Sequence, residues 1–296
     1  MDIVTPYIRS LITSSVRPGK ASKRPILTRK WIELALVGAV ENIVPSSRYE
    51  EIFEKGAEAK LDCIELRYRS DLPVAQLKEL SSTFLPISSL MMGILWEFNL
   101  ASPDQEVRSK GIEALKDGIK IANLLGFRDI LVVPGVGQPE TPYKRLVEKA
   151  TESLNEVLKM AEDRGVYLCI ENVGNSLFYS PIEFSSFVAS FKSDNIKAYF
   201  DFANAYYCGL YPEWFIEELG NLIRVVHVKN WDLKTKRFIK LTEKGIDFVS
   251  IFRKLLASGY KGPFIMEIGG DKERTVEFAM ENVDFLRGQL KMAGYG

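Results

Sequence analysis

Short apolar segments alternate with longer amphipathic segments along most of this 296-residue chain, and that alternation limits the folds open to it. The apolar segments predict eight strands, at Trp31–Val37, Cys63–Arg67, Ile87–Trp96, Asp129–Val133, Val166–Glu171, Ile196–Asp201, Ile223–Lys229 and Pro263–Glu267. The amphipathic segments predict eight helices, at Arg48–Lys60, Pro73–Thr83, Pro103–Leu125, Pro142–Arg164, Pro181–Phe191, Glu213–Leu219, Asp247–Ser258 and Asp271–Lys291. Strict alternation of this kind predicts a parallel sheet with right-handed crossovers.

Eight strand–helix units over residues 31–296 predict an α/β fold, a single (β/α)8 TIM barrel. A doubly wound open sheet is the alternative fold. Its usual phosphate-binding pattern is missing, because Gly135-Val136-Gly137 follows a strand but Glu140 stands where the third glycine or alanine belongs. We therefore predict that the barrel is the functional domain.

Residues 1–30 differ from the rest, with seven basic side chains and Asp2 as the only acid. They lack the continuous apolar stretch of a secretory signal. We predict a basic N-terminal extension outside the eight-unit repeat that wraps over the domain, since Ile3, Tyr7, Ile8, Leu11 and Ile12 give it an apolar side. A basic arm that touches a partner or a nucleic acid is the other interpretation.

The helix ends carry their own signals. Ser102-Pro103-Asp104-Gln105 predicts a capping box with proline at the first helical position. Gly126, Gly165 and Gly259 fit the left-handed position that follows a helix.

The charge balance and two rare residues exclude several functions. With 39 basic and 39 acidic residues the net charge is zero, which argues against a nucleic-acid-binding surface. The chain has one histidine, so a metal centre built from several histidines of one chain is excluded. Three widely spaced cysteines predict no disulfide framework and favour a cytoplasmic location, and no apolar run is long enough to predict a membrane span.

Four ionisable side chains stand at or near the ends of four consecutive predicted strands. They are Glu171, Asp201, His227 and Glu267. Because the carboxyl ends of barrel strands share one rim, these groups are predicted to converge there. Three carboxylates and an imidazole at one point need a compensating cation. Three oxygens and one nitrogen favour one Mn²⁺ or Mg²⁺ ion, with Co²⁺ or Zn²⁺ as alternatives; isolated helix caps or salt bridges are the other interpretation.

The residues at these strand ends resemble those of the xylose isomerase-like family of TIM barrels, which includes sugar isomerases, sugar epimerases and the endonuclease IV branch. The resemblance covers roughly residues 31–290. It lies in Glu171-Asn172, Asp201-Phe202-Ala203-Asn204, His227-Val228-Lys229-Asn230 and Glu267, with support from Cys63-Ile64-Glu65-Leu66-Arg67, Asn99 to Arg108, Ile121 to Gly126 and Val132 to Gly135.

The resemblance implies a metal-dependent isomerase or epimerase of a small sugar or polyol ketone, acting by proton transfer through an enediolate. It assigns Glu171 and Glu267 as the acid/base pair that flanks the reacting carbon. A keto-polyol dehydratase and a non-catalytic sugar-binding barrel are the alternatives. Neither a nucleic-acid nor a membrane partner is predicted, and a homo-oligomer remains open.

Three positions depart from the family pattern. Asn204 and the Val133-Pro134-Gly135 segment stand where many members carry histidine, and Asn230 stands where an aspartate often follows the lysine. The resemblance associates the nuclease branch with a trinuclear zinc site that has several histidine ligands, and a chain with one histidine cannot form such a site. The lone histidine disfavours a nuclease, whereas the departures at Asn204 and Pro134 favour the non-catalytic sugar-binding barrel and leave the substrate open.

Four further residues are predicted to contact the substrate: Glu65, Trp96, Asn204 and Lys229. Glu65 and Lys229 share the inward phase of their strands, and Trp96 offers an apolar wall for a sugar ring. The alternatives are a structural ion pair for Glu65, a salt bridge from Lys229 to Glu267 or Asp201, and core or loop packing for Trp96.

Overall fold

The protein is described by a computed structural model over residues 35–44, 46–268 and 275–296. The predicted N-terminal extension and the first residues of the first predicted strand lie outside these described residues. The strands are β1 Val37–Val40, β2 Cys63–Arg67, β3 Ile87–Met91, β4 Asp129–Val132, β5 Tyr167–Glu171, β6 Ile196–Asp201, β7 Ile223–Val228, β8 Asn230–Asp232, β9 Arg237–Ile239 and β10 Phe264–Met266. The α-helices are α1 Tyr49–Glu58, α2 Val74–Thr83, α3 Gln105–Leu125, α4 Tyr143–Arg164, α5 Pro181–Ser190, α6 Phe202–Tyr207, α7 Pro212–Leu219, α8 Phe248–Ala257 and α9 Val276–Ala293.

Within the described ranges, eight parallel strands close into a barrel in the order β1, β10, β7, β6, β5, β4, β3, β2. Every neighbouring pair in this ring is parallel, including the closing pair of β1 and β10. The predicted TIM barrel is confirmed. The remaining strands, β8 and β9, form a separate antiparallel hairpin that the sequence analysis missed.

The first strand lies later in the chain than predicted. Val37–Val40 pairs with its neighbours, whereas Ala35 and Leu36 lie outside the strand. Gly38 explains the difference, because a Cβ there would lie 2.6 Å from both Cys63 Sγ and Ile265 Cδ1. The barrel wall therefore requires a small residue that ordinary strand propensity disfavours.

The third strand is shorter than predicted, because the chain leaves it after Met91 and forms a 3-10 turn over Gly93–Trp96. The last helix begins at Val276, where Thr275 caps it by accepting a hydrogen bond from the Phe278 N–H. The short helix α6, directly after β6, was also missed.

The start of α3 differs from the predicted capping box. Asp104 is the N-cap and accepts a hydrogen bond from the Glu106 N–H, whereas Ser102 Oγ accepts one from the Asp104 N–H. Aspartate at this position also suits the positive end of the helix dipole. The glycine signals are confirmed at Gly126 and Gly165, which end α3 and α4 with φ of 83° and 61°.

The helices pack one apolar face against the barrel, as their periodicity predicts. In α4 the buried residues recur every three or four positions, at Leu146, Ala150, Ser153, Leu154, Val157, Leu158 and Ala161. Among the helices of the described ranges, none is both long and apolar enough to span a bilayer. The barrel thus presents the carboxyl ends of its strands, and the loops that follow them, as the place for a site.

Candidate metal centre

Four side chains from four consecutive barrel strands meet at the carboxyl rim. Glu171 ends β5, Asp201 ends β6, His227 is the fifth residue of β7, and Glu267 directly follows β10. One potential ligand atom from each of them lies within 4.8 Å of those of the other three. The predicted convergence is therefore present in the structure. Glu267 has the most exposed side chain of the four, at 29%.

Two cationic groups lie among the three carboxylates. His227 Nδ1 is 3.0 Å from Glu267 Oε2 and 3.6 Å from Glu171 Oε1. Lys229 Nζ is 2.7 Å from Glu267 Oε2 and 2.9 Å from Asp201 Oδ2. Lys229 thus bridges two of the carboxylates, which matches the salt-bridge alternative raised for it from sequence.

Two buried atoms of the cluster lack a hydrogen bond despite these short distances. Asp201 Oδ2 and His227 Nδ1 are both inaccessible to solvent, and neither has a hydrogen-bond partner of acceptable geometry. Unpaired buried polar atoms are costly, so a native site normally satisfies them. One oxygen and one imidazole nitrogen directed at a common point, with two more carboxylates around it, fit a divalent cation.

A buried hydrogen-bond network holds the His227 ring from below. His227 Nε2 lies 2.8 Å from Glu65 Oε1. Ser89 Oγ donates to Glu65 Oε2 at 2.6 Å, and the Tyr199 hydroxyl donates to the same oxygen. Because a carboxylate only accepts, Nε2 keeps its proton, so the proton that the imidazole gives up to a metal ion is the one on Nδ1, the nitrogen that faces the cluster.

A second network fixes the ends of β5 and β6. The Asn172 side chain donates to the Asp201 carbonyl at 2.7 Å and accepts from the Asp201 N–H at 2.8 Å. Asp201 Oδ1 accepts the Asn204 N–H at 2.8 Å as the N-cap of α6. Asn204 Nδ2 donates to Glu171 Oε1 at 3.3 Å. Asp201 therefore has one oxygen committed to the helix and one left for the cluster.

The electrostatic environment separates the pKa values of the two glutamates. Burial raises the pKa of Glu171, although His227 and Lys229 oppose the shift. Burial acts in the same direction on Glu267, but Lys229 and His227 outweigh it and lower its pKa. Burial alone would lower the pKa of His227, yet Glu65 and Glu267 raise it well above its ordinary value.

The four residues predicted to contact substrate occupy different places. Glu65 is fully buried and contacts His227, and Asn204 is buried against Glu171. Lys229 lies within the cluster with 17% of its side chain exposed. Trp96 is half exposed on the 3-10 turn after β3.

Sequence reasoning missed three supporting residues: Ser89, Tyr199 and Asn172. Ser89 and Tyr199 carry a readable signal, because each is a polar residue at a fully buried position of a predicted strand. Ser89 pairs directly with Glu65 across β2 and β3, and Tyr199 precedes Asp201 by two residues. Asn172 gave no such signal, since its role depends on the close approach of two strand ends.

The sequence matches the xylose isomerase-like TIM barrel family over residues 53–289. This chain belongs to that family. It is 25% identical to an uncharacterized protein of Methanocaldococcus jannaschii over 276 residues, which cover 90% of this chain and 91% of that protein. It is 22% identical to the L-ribulose-5-phosphate 3-epimerase UlaE of Escherichia coli K12 over 232 residues, which cover 77% of this chain and 81% of the epimerase.

Among solved structures, that of an L-ribulose 3-epimerase superposes with a TM-score of 0.75 at 22% identity, covering 88% of this chain and 96% of that one. The similarity confirms the fold at nearly full length.

Proposed function

We propose that this protein is a divalent-metal-dependent isomerase or epimerase of a small sugar or polyol ketone. The convergence of Glu171, Asp201, His227 and Glu267, with two buried atoms that lack a hydrogen bond of acceptable geometry, carries the proposal. The similarity to two pentulose 3-epimerases supports it. Those four side chains would hold one Mn²⁺ or Mg²⁺ ion, with Co²⁺ or Zn²⁺ as alternatives.

A bound divalent ion would supply Lewis-acid polarisation of a substrate carbonyl, which acidifies the neighbouring C–H bond. The protein supplies the proton-transfer groups. We assign Glu171 and Glu267 to this role, because β5 and β10 are separated in the barrel by β6 and β7, so the two carboxylates approach from opposite sides. One carboxylate takes the proton from the carbon next to the carbonyl, and the other returns a proton on the opposite face.

The different surroundings of the two glutamates suit this division of work. Glu267 is held ionised by Lys229 and His227, so it is the group able to take the proton from the substrate carbon. Glu171 is buried with a raised pKa, so it holds the proton that is returned on the opposite face. Asn204 donates a hydrogen bond to Glu171 and so orients the carboxylate, the part we propose for it in place of direct substrate contact.

The test is a proton-exchange assay with the full chain. Purified protein is loaded with Mn²⁺ and incubated in heavy water with L-ribulose, L-ribulose 5-phosphate, D-fructose and D-tagatose. We expect deuterium incorporation next to the carbonyl together with formation of an epimer or isomer. Loss of water instead would identify a dehydratase, and binding without exchange a non-catalytic sugar-binding barrel.

Variants separate the roles of the site residues. Glu171→Gln and Glu267→Gln are expected to retain metal at reduced affinity while proton exchange falls by about 100-fold or more, the scale of a lost general base. His227→Ala is expected to lose metal, because the chain has no other histidine to replace it. Glu106→Gln is the matched control, since Glu106 is an exposed glutamate at the start of α3. Wild-type exchange rates in both glutamine variants would refute the assignment of the acid/base pair.

A further inference from the structure

The hairpin of β8 and β9 begins immediately after β7, the strand that carries His227. Asn230–Asp232 pairs antiparallel with Arg237–Ile239, and Trp231 lies directly opposite Phe238. Because β7 ends at the carboxyl rim of the barrel, the hairpin stands beside the metal centre. None of the roles assigned above uses it.

Three aromatic rings join this hairpin to α6. Tyr207 and Phe238 are stacked, with ring centroids 5.9 Å apart and an angle of 24° between planes. Trp231 meets Phe238 edge-on at 4.8 Å and Tyr207 edge-on at 5.8 Å. Trp231 is buried, whereas Phe238 and Tyr207 are 48% and 53% exposed. The buried indole therefore fixes two rings that present about half of their surface to solvent.

The exposed rings lie next to the metal centre. Lys229 Nζ is 5.9 Å from the centroid of the Phe238 ring. The same Nζ lies 2.9 Å from Asp201 Oδ2 and 2.7 Å from Glu267 Oε2. The Lys229 side chain thus links the aromatic surface to two proposed metal ligands.

Tyr207 also depends on a glycine in the loop after β5. A Cβ on Gly174 would lie 2.4 Å from Tyr207 Cε1, so the ring packs directly against the backbone three residues after Glu171. Any larger residue at position 174 must displace the ring. The loop that follows Glu171 therefore packs closely against the aromatic surface at Gly174.

We propose that Phe238 and Tyr207 form a sugar-binding subsite that holds the apolar C–H face of the substrate while its carbonyl end faces the metal centre. The assignment of this subsite rests on the proposed function, and it specifies which face of the substrate the two rings contact. Aromatic rings carry negative charge on their faces, so the weakly positive C–H groups of a sugar pack well on them. A free ketose and its phosphate share such a face, and the experiment tests both.

The experiment measures sugar affinity and metal affinity separately. Dissociation constants for L-ribulose and L-ribulose 5-phosphate are measured by NMR titration of the Mg²⁺-loaded protein, and KM and kcat with any sugar that turns over. In Phe238→Ala and Gly174→Ala we expect sugar binding to weaken by about three- to tenfold, the scale of one lost aromatic contact. Mn²⁺ affinity is expected to stay within about twofold of wild type, and kcat/KM is expected to fall in step with sugar affinity.

Each variant has a matched control, and Phe238→Ala also has a rescue. Phe84→Ala removes an exposed phenylalanine at the end of α2, and Gly288→Ala adds a methyl group in α9 where nothing lies within 4 Å. Both controls are expected to bind sugar as wild type does. Phe238→Tyr is expected to restore affinity because it keeps the ring.

Three outcomes would overturn the subsite. The first is unchanged sugar affinity in both Phe238→Ala and Gly174→Ala. The second is light scattering that shows a wild-type dimer lost in Phe238→Ala with sugar affinity intact, which would make the rings a contact between two copies. The third is absence of binding of either sugar to the wild type. A wild type that binds sugar without turnover would refute the proposed function alone, because the subsite is then judged by binding.

Discussion

His227 contacts carboxylates through both of its ring nitrogens. Nε2 meets Glu65, which is fully buried, and Nδ1 faces Glu267 and Glu171. A histidine ligand whose second nitrogen is held by a carboxylate keeps one tautomer and is a stronger electron donor. Glu65 is therefore a positioning residue in our proposal, acting on the metal through His227.

Replacing Glu65 with glutamine tests that role. Glu65→Gln keeps the shape and one acceptor oxygen but removes the charge that holds the Nε2 proton. We expect Mn²⁺ affinity to fall by about 10- to 100-fold, the usual effect of losing such a partner. Calorimetric titration measures it, with Glu113→Gln, an exposed glutamate of α3, as control. Equal Mn²⁺ affinity in the two variants would leave Glu65 with a packing role only.

The pH dependence of metal binding follows from the raised pKa of His227 and Glu171. Both pKa values are raised in the ion-free protein, so both groups still hold protons at pH values where the free side chains would begin to lose them. A metal ion must displace these protons, and apparent affinity is expected to rise with pH until the pH passes the raised values. The protonated His227 conversely stabilises the ion-free fold at pH below about 6.5, and this contribution is lost as pH rises through its folded pKa.

Calorimetry in two buffers of different ionisation enthalpy measures the number of protons released on binding Mn²⁺. We expect a release of about one proton near neutral pH, from His227, and almost none in His227→Gln if that variant still binds. Binding with no proton release at pH 7 would contradict the raised pKa of His227.

At the scale of single elements, Asn230 explains one departure from the family pattern. Its buried side chain donates to the carbonyls of Lys240, Leu241 and Glu243, and its oxygen accepts the N–H groups of Trp231 and Ile246. Aspartate would offer only acceptors to those three carbonyls. The side-chain amide of Asn230 therefore joins the start of the β8–β9 hairpin to the residues that follow it.

Asn230→Asp is expected to lower the free energy of unfolding by about 1–3 kcal/mol, because three carbonyls, one of them buried, lose their donor and a buried carboxylate gains charge. The loss should be larger at pH 8 than at pH 5, since a protonated aspartate regains one donor. Urea unfolding at both pH values measures it. Asn155→Asp, on an exposed face of α4, is the control. Similar losses in both variants would show that the buried hydrogen bonds contribute little.

Elements with a strong apolar period were predictable, and those determined by local geometry were not. The bounds of β2 and β6 were predicted correctly because long-range pairing and local apolarity agree there. The position of the first strand was predicted wrongly. The strand Val37–Val40 contains Gly38 because a side chain at that position would collide with neighbouring strands, and local strand propensity does not reveal this. The β8–β9 hairpin is largely exposed along β9, so it carries no apolar period to detect.

For the molecule as a whole, the four proposed metal ligands could be predicted from the sequence, whereas the residues that orient them could not. Each of the four stands at or directly after the end of an apolar strand, so barrel topology alone brings them together. The atoms that orient them come from different strands and loops, as with Ser89, which donates to the Glu65 carboxylate beside His227, and Asn172, which pairs with the backbone of Asp201. Such contacts depend on register and on side-chain length, which one sequence does not reveal.

An ion pair at the opposite end of the barrel contributes to stability. Asp129 begins β4, and Arg224 is the second residue of β7, so both lie at the amino ends of their strands. Arg224 Nε donates to Asp129 Oδ1 at 2.5 Å while its guanidinium lies 3.7 Å from the centroid of the Tyr167 ring. Burial raises the pKa of Asp129, and Arg224 opposes that shift. In a TIM barrel this end serves stability and the other serves function.

Removing Arg224 should therefore lower stability and leave metal binding intact. Arg224→Met leaves the buried Asp129 carboxylate without its partner, and we expect a loss of about 1–3 kcal/mol, less than for a fully buried pair because a third of the Arg224 side chain is exposed. The loss should shrink as pH falls through the raised pKa of Asp129, since a protonated carboxyl group needs no counter-ion. Urea unfolding from pH 4 to 8, with Mn²⁺ titration alongside, measures both properties.

The double variant Asp129→Asn with Arg224→Met decides whether charge is the cause. An amide at position 129 is neutral, so the arginine is no longer needed to balance it, and most of the lost stability should return. If the double variant is as unstable as Arg224→Met alone, the arginine acts through its contact with the Tyr167 ring. If Mn²⁺ affinity falls in step with stability, the two ends of the barrel are coupled, and the separation of stability from function is wrong for this molecule.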